Sequence, residues 1–199
     1  MVTGTGTVRT TPDQARITIG VETRAGTPDE ALSENSARMT RVVEALQELG
    51  IPNTSIKTSY FSISPIYNYT KGYAEIVGYS AVNTVEVTTT LLDKLGPIID
   101  GAVAAGANQI GSVYFSLTEE KEKELRDSAI AAAAADATSK AGKLAEAMHV
   151  KIVGIKEMSI GGGGVPFIVR SDVAPAPSPP ILPGEETITY TVQVTYLIG

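Results

Sequence analysis

Apolar and polar residues alternate from Asp13 onward. Ala15, Ile17, Ile19 and Val21 fall between Arg16, Thr18, Gly20 and Glu22, the period of two that marks a strand with one buried face. The segment before it, Thr3 to Thr10, also has β character. Arg9 to Asp13, with Thr10, Thr11 and Pro12, reads as the turn that would pair the two strands. At Thr27 the period changes. Thr27 is placed to cap a helix, Pro28 suits the first helical position and Glu30 can close a capping box. Leu32, Met39, Val42, Val43, Leu46 and Leu49 follow at helical spacing, and Gly50 stands ready for the left-handed end, so a helix is predicted from Pro28 to Leu49.

Ile56 to Ile66 predicts a strand leading into an exposed segment, Tyr67 to Tyr73. A long strand follows over Ile76 to Thr89, with Val77, Tyr79, Ala81, Val85 and Val87 on one face and Asn83 as a polar interruption. A second helix opens at Thr90, with Asp93 three residues on. Pro97 makes it either a kinked helix or a short turn plus a helix, ending at Gly106. Ile110, Val113, Phe115 and Leu117 give another strand. Asp13 to Leu117 therefore spells strand, helix, strand, strand, helix, strand, a split βαβ pattern whose crossovers put both helices on one sheet face.

A third helix, Glu119 to about Met148, carries Leu125, Ala129, Ala133, Ala137, Ala141, Leu144 and Met148 along one stripe. Alanine makes that stripe thin, suited to close packing within the fold or against another subunit. Val150 to Ile160 and Thr187 to Ile198 read as strands. Between them, Gly161 to Glu185 holds four consecutive glycines and the proline-rich run Ala174 to Pro183, too long a connection for a tight hairpin. The fold class predicted is α+β, with antiparallel or mixed sheets, a βαββαβ unit, a long helix and two further strands.

Composition narrows the function classes. The formal charge is -6 and the basic residues form no stripe, which argues against a nucleic-acid partner. No run approaches the ~20 apolar residues of a membrane span; the alanine-rich Ser128 to Ala135 falls far short. The absence of cysteine removes thiol catalysis, thiolate metal sites and disulfides together.

Landmarks along the chain resemble the SIMPL-domain family, whose bacterial members include periplasmic immunogenic proteins. They begin with Val2 to Val8 containing Gly4 and Gly6, Pro12-Asp13-Gln14-Ala15 running to Gly20-Val21-Glu22-Thr23, and Ala31 with Asn35. Thr58 to Tyr67 follows, then Gly78-Tyr79 with Ala81, Asn83 and Val85, and Ala105-Gly106-Ala107-Asn108. Phe115-Ser116-Leu117, Ala135-Asp136-Ala137 to Lys140-Ala141, and Thr191 to Tyr196 complete the series. The resemblance spans about 190 residues of the 199. It implies one SIMPL-like domain over 1–199, made of the βαββαβ unit at 13–117 and a second part at 118–199 that includes the Gly/Pro-rich arm 161–185. It further implies an exported protein whose signal has been removed, ring-like or channel-like homo-oligomers, a link to oxidative stress and, in distant relatives, kinase binding. It brings no shared catalytic residues.

The residues nominate no catalytic, cofactor or metal site. His149, the single histidine, has a simpler role at a helix C-terminus, where the dipole favours it, than as the base of a hydrolase. Glu119, Glu120, Glu122 and Glu124 could ligate a hard cation, but Lys121 and Lys123 interleave them and a first helical turn favours acids anyway. Neither Gly161–Gly164 nor Gly4-Thr5-Gly6 leads into a helix as a phosphate cradle must. Asn53-Thr54-Ser55 and Asn68-Tyr69-Thr70 match the glycosylation sequon and suit an exported protein. Tyr60, Tyr67, Tyr69, Tyr73 and Tyr79 offer contact area with polar tips, the makings of an interface. The expected function is that of a non-enzymatic, self-associating extracytoplasmic protein. An enzyme with a carboxylate, Tyr or Ser site on its loops, and a signalling-partner module, are the alternatives.

Overall fold

A computed structural model of the chain describes residues 1–70, 72–161, 167–169 (backbone only) and 184–199. In chain order the elements are β1 (Val2–Thr10), β2 (Gln14–Ala25), α1 (Pro28–Glu48), β3 (Ile56–Asn68), β4 (Glu75–Thr89) and α2 (Leu95–Ala105). They continue with β5 (Gln109–Ser116), α3 (Glu119–Ala147), β6 (Ile152–Gly161), β7 (Phe167–Val169) and β8 (Glu185–Ile198). Contacts divide the chain into two compact units, Asp13–Ser116 and Met1–Pro12 with Leu117–Gly199. The architecture is α+β, as the pattern predicts. Most of the Gly/Pro-rich arm 161–185, including the proline run, lies outside the described residues.

The unit Asp13–Ser116 is the predicted βαββαβ arrangement, a sheet in the order β3-β4-β2-β5 with every neighbour antiparallel. The alternation in β2 is realised literally: Ala15, Ile17, Ile19 and Val21 are fully buried. Register sets Ile17 against Val87 and Ile19 against Val85, and α1 and α2 close over that face with Met39, Val42, Leu46, Ile98 and Ala102. Each large side chain so buried contributes roughly 1.5–3 kcal/mol. The capping box forms as predicted, with the Glu30 N–H donating to Thr27 Oγ1 and the Thr27 N–H to Glu30 Oε2, both at 3.3 Å. Gly50 takes φ +95° just past the helix.

Asn35 ties α1 to the sheet. Wholly buried, it donates from Nδ2 to the carbonyls of Val21 (2.8 Å) and Ala81 (2.9 Å), on adjacent strands. The second helix takes the second of its two expected forms, a short turn plus a helix, with its start corrected. Thr90 does not open it; a 3₁₀ turn at Leu92–Lys94 comes first, Thr89 Oγ1 accepts the Leu91 N–H, and α2 begins at Leu95. Pro97 then falls in the first turn, where a missing N–H costs nothing, so the helix need not kink.

The other unit has the order β1-β8-β6, with β7 also on β8. Here the predicted hairpin of Thr3–Thr10 with the strand after it is overturned. β1 pairs instead with β8, antiparallel from Val2 opposite Val194 to Thr10 opposite Glu186. β2 has no free edge to offer, since β4 and β5 occupy both. What β1 does fit is α3. A Cβ built on Gly4 would stand 2.0 Å from the Ala133 carbonyl oxygen, and one on Gly6 1.9 Å from that of Ala129, so the helix backbone lies directly on the strand. The alanine stripe packs within this unit as far as Ala141: Ala129, Ala133, Ala137 and Ala141 are buried, two of them against Val192 and Val194. Leu144 and Met148, predicted to continue the stripe, stand exposed.

Side chains of α3 also close the outer edge of β1. The Thr5 N–H donates to Asp136 Oδ2 at 2.8 Å, and Lys140 Nζ donates to the Thr3 carbonyl at 3.3 Å and to Asp136 at 2.6 Å. A strand edge with its polar groups engaged resists adding another strand. The hydrogen bond from Lys140, followed by that from Thr5, holds the Asp136 carboxyl below its ordinary range.

Candidate functional site

On β2 the positions facing away from the helices carry Arg16, Thr18, Glu22 and Arg24, and a knit polar cluster forms around Glu22. Its carboxylate accepts from Arg24 Nε and Nη2 (2.9 Å each), Ser80 Oγ (3.0 Å) and Gln109 Nε2 (2.9 Å). The backbone of Glu22 is held by Asn108: its N–H donates to Asn108 Oδ1 (2.7 Å) and its carbonyl accepts from Asn108 Nδ2 (2.8 Å). With the Asn108 N–H on the Gly20 carbonyl (3.0 Å), this loop residue mimics one more rung of the ladder before β5 begins.

Glu22, Arg24, Asn108 and Gln109 line a shallow depression of about 350 Å³. The bonds from Arg24 first, then Ser80, lower the Glu22 pKa against an opposing effect of burial. General acid or base catalysis wants a group poised near the working pH. A carboxylate held ionised by a full set of donors is the reverse, and the arrangement suits bracing of the sheet.

The other features singled out in the sequence fall apart in space or in role. Glu119, Glu120 and Glu122 are exposed in the first turn of α3, behind the N-cap Thr118. Among the described residues no three His, Cys, Asp or Glu side chains group to hold a metal ion. His149 follows α3 with φ +54° and its N–H on the Glu146 carbonyl, an exposed helix-end residue. Gly161 ends β6, and the other three glycines of its run lie outside the described residues. No described helix is long and apolar enough to cross a membrane.

Of the five tyrosines, Tyr67 and Tyr69 are brought into ring contact. Tyr60, Tyr67, Tyr69 and Tyr73 are all exposed on β3 and the connection to β4, and Tyr79 is half-buried. The rings of Tyr67 and Tyr69 are tilted by 38° with centroids 6.2 Å apart. Ile76 is exposed opposite Tyr67, while Phe61, also exposed, pairs with Asn83 further along the strand and on the other face from Tyr60. Asn68, between the two rings, accepts from the Thr70 N–H (2.9 Å) and hydroxyl, which shapes the turn. The polar cluster is not legible in the sequence because its members come from β2, β4, β5 and the loop before it.

A family model described as SIMPL, protein of unknown function (DUF541), matches residues 1–196. The 26 kDa periplasmic immunogenic protein of Brucella melitensis biotype 1 is 32% identical over 210 residues, covering 99% of this chain and 83% of the relative. The uncharacterized protein YggE of Escherichia coli K12 is 34% identical over 152 residues, 76% of this chain and 61% of that protein.

Proposed function

Because the chain belongs to the SIMPL family of unknown function, we propose that it works outside the cytoplasm as a non-enzymatic, self-associating protein that meets other molecules through surfaces held on a rigid sheet. The observation that carries this reading is the exposed aromatic group where β3 runs towards β4: Tyr67, Tyr69 and Tyr73, with Ile76 opposite Tyr67. Interface centres are enriched in tyrosine and phenylalanine, which supply large contact area at little cost in side-chain entropy. The extracytoplasmic placement draws on the periplasmic naming of the Brucella relative. A saturated Glu22 favours binding over proton-transfer chemistry. In this reading residues 1–199 act as one domain.

Size-exclusion chromatography with light scattering tests it. A mass above one chain is expected at micromolar concentration, reduced by the double substitution Tyr67→Ser and Tyr69→Ser. A strict monomer removes the assembly half, and an oligomer indifferent to the double substitution removes the tyrosine surface.

A further inference from the structure

The strand β6 carries Ile152, Ile155, Met158 and Ile160 on one face, an apolar row of the kind that belongs under a cover, and Glu157 and Ser159 on the other. Its register sets Ile152 opposite Ile198, Ile155 opposite Tyr196, Met158 opposite Val194 and Ile160 opposite Val192. Directly opposed residues share a face, and Val192 and Val194 are buried beneath α3. The four β6 residues therefore lie on the face that the helix covers, yet they are 37%, 53%, 67% and 60% exposed. The cause is width. A helix about 10 Å across spans roughly two strands at ~4.8 Å spacing, and α3 lies along β1 and β8. The third strand is left beyond its reach, and Ile198, also exposed, extends the row.

Five side chains at these exposures present on the order of 500 Å² of continuous apolar surface. That sits high in the roughly 300–600 Å² of the largest patch on a monomer and is a large part of the roughly 800 Å² each partner gives a stable interface. We propose that this row is the contact between two copies of this chain, packed face to face about a two-fold axis. The inference rests on the self-association reading and adds to it a contact separate from the tyrosine surface. A row without charge meets its own copy across a two-fold without repulsion, as an isologous interface requires. Pairing by edges is disfavoured, because the register shifts between Ile152 and Gly154 and between Ile155 and Glu157 kink the strand and an exposed Lys156 sits at the second.

Sedimentation velocity on the full chain, across a concentration series, reads the association. Met158→Lys is expected to weaken it by about tenfold or more, since each copy would bury an unpaired charge. Met158→Thr with Ile160→Thr, which keeps β propensity, should weaken it less but measurably. Ser159→Lys, on the opposite face of the same strand opposite Gln193, should leave it unchanged; matching far-UV circular dichroism melts show that all variants fold. An oligomer unaffected by the Met158 and Ile160 changes, or weakened equally by Ser159→Lys, overturns the inference while leaving self-association standing. A wild-type monomer sinks both.

Discussion

Replacing Gly6 by alanine adds one methyl group at the closest approach among the described glycines. The new Cβ would stand 1.9 Å from the Ala129 carbonyl oxygen and 2.6 Å from the Ala133 nitrogen, both backbone atoms that no rotamer change can move aside. Restoring an ordinary contact of ~3.5 Å requires strand and helix to part by roughly 1.5 Å. Overpacking of this kind costs about 1–3 kcal/mol. Separation also loosens Ala129, Ala133 and Ala137 from β1 and β8 and draws the Thr5 N–H away from Asp136, so the upper end, about 3 kcal/mol, is expected. With a urea slope of about 2 kcal/mol per molar, the midpoint should fall by more than ~1 M. Gly4→Ala should behave alike, its Cβ meeting the Ala133 carbonyl oxygen at 2.0 Å. Gly142→Ala is the control: it lies within α3 with nothing within 4 Å, so it should gain about 0.5–1 kcal/mol from helix propensity alone. Urea titrations followed by far-UV circular dichroism decide the matter. If Gly6→Ala costs less than ~0.5 kcal/mol, or Gly142→Ala is equally damaging, helix-on-strand contact is not what these glycines serve.

Thr27→Ala removes the Oγ1 that accepts the Glu30 N–H and should cost about 1 kcal/mol in chemical denaturation, against little change for the exposed Thr40→Ala. Asn35→Ala strips the donor from two strand carbonyls and leaves a cavity, a loss of about 3 kcal/mol; a cost under ~1 kcal/mol would mean another donor reaches Val21 and Ala81. Glu22 and Asp136 both have lowered pKa values, so they contribute stability that is present above their unfolded pKa values and lost as pH falls through the folded ones. Glu22→Gln and Asp136→Asn should each flatten the acid limb of a stability-against-pH curve below about pH 4.5. An acid limb that keeps its slope in both variants would contradict the assigned partners.

Local signals carried far into the fold. The period-two run from Ala15 to Val21, the capping box at Thr27 and the βαββαβ order were legible because each depends on residues within one element or one turn. The tyrosine group was visible as a cluster around the junction of two strands. The pairing of β1 was not, because a strand's own residues tell which face is buried but not whose edge it joins. Nor was the role of Gly4 and Gly6, which is set by the alanine stripe of α3 more than a hundred residues away in the chain.

The remaining divide is one of range. Side-chain period, caps and turn residues act over a few positions, so the amino-acid order alone established the elements and the class of fold. Which edges were open, where Glu22 finds its donors and which apolar row α3 leaves bare were decided only when elements met in space. A helix of fixed width laid on two of three strands must leave the third uncovered, and nothing in the local pattern of β6 states that width.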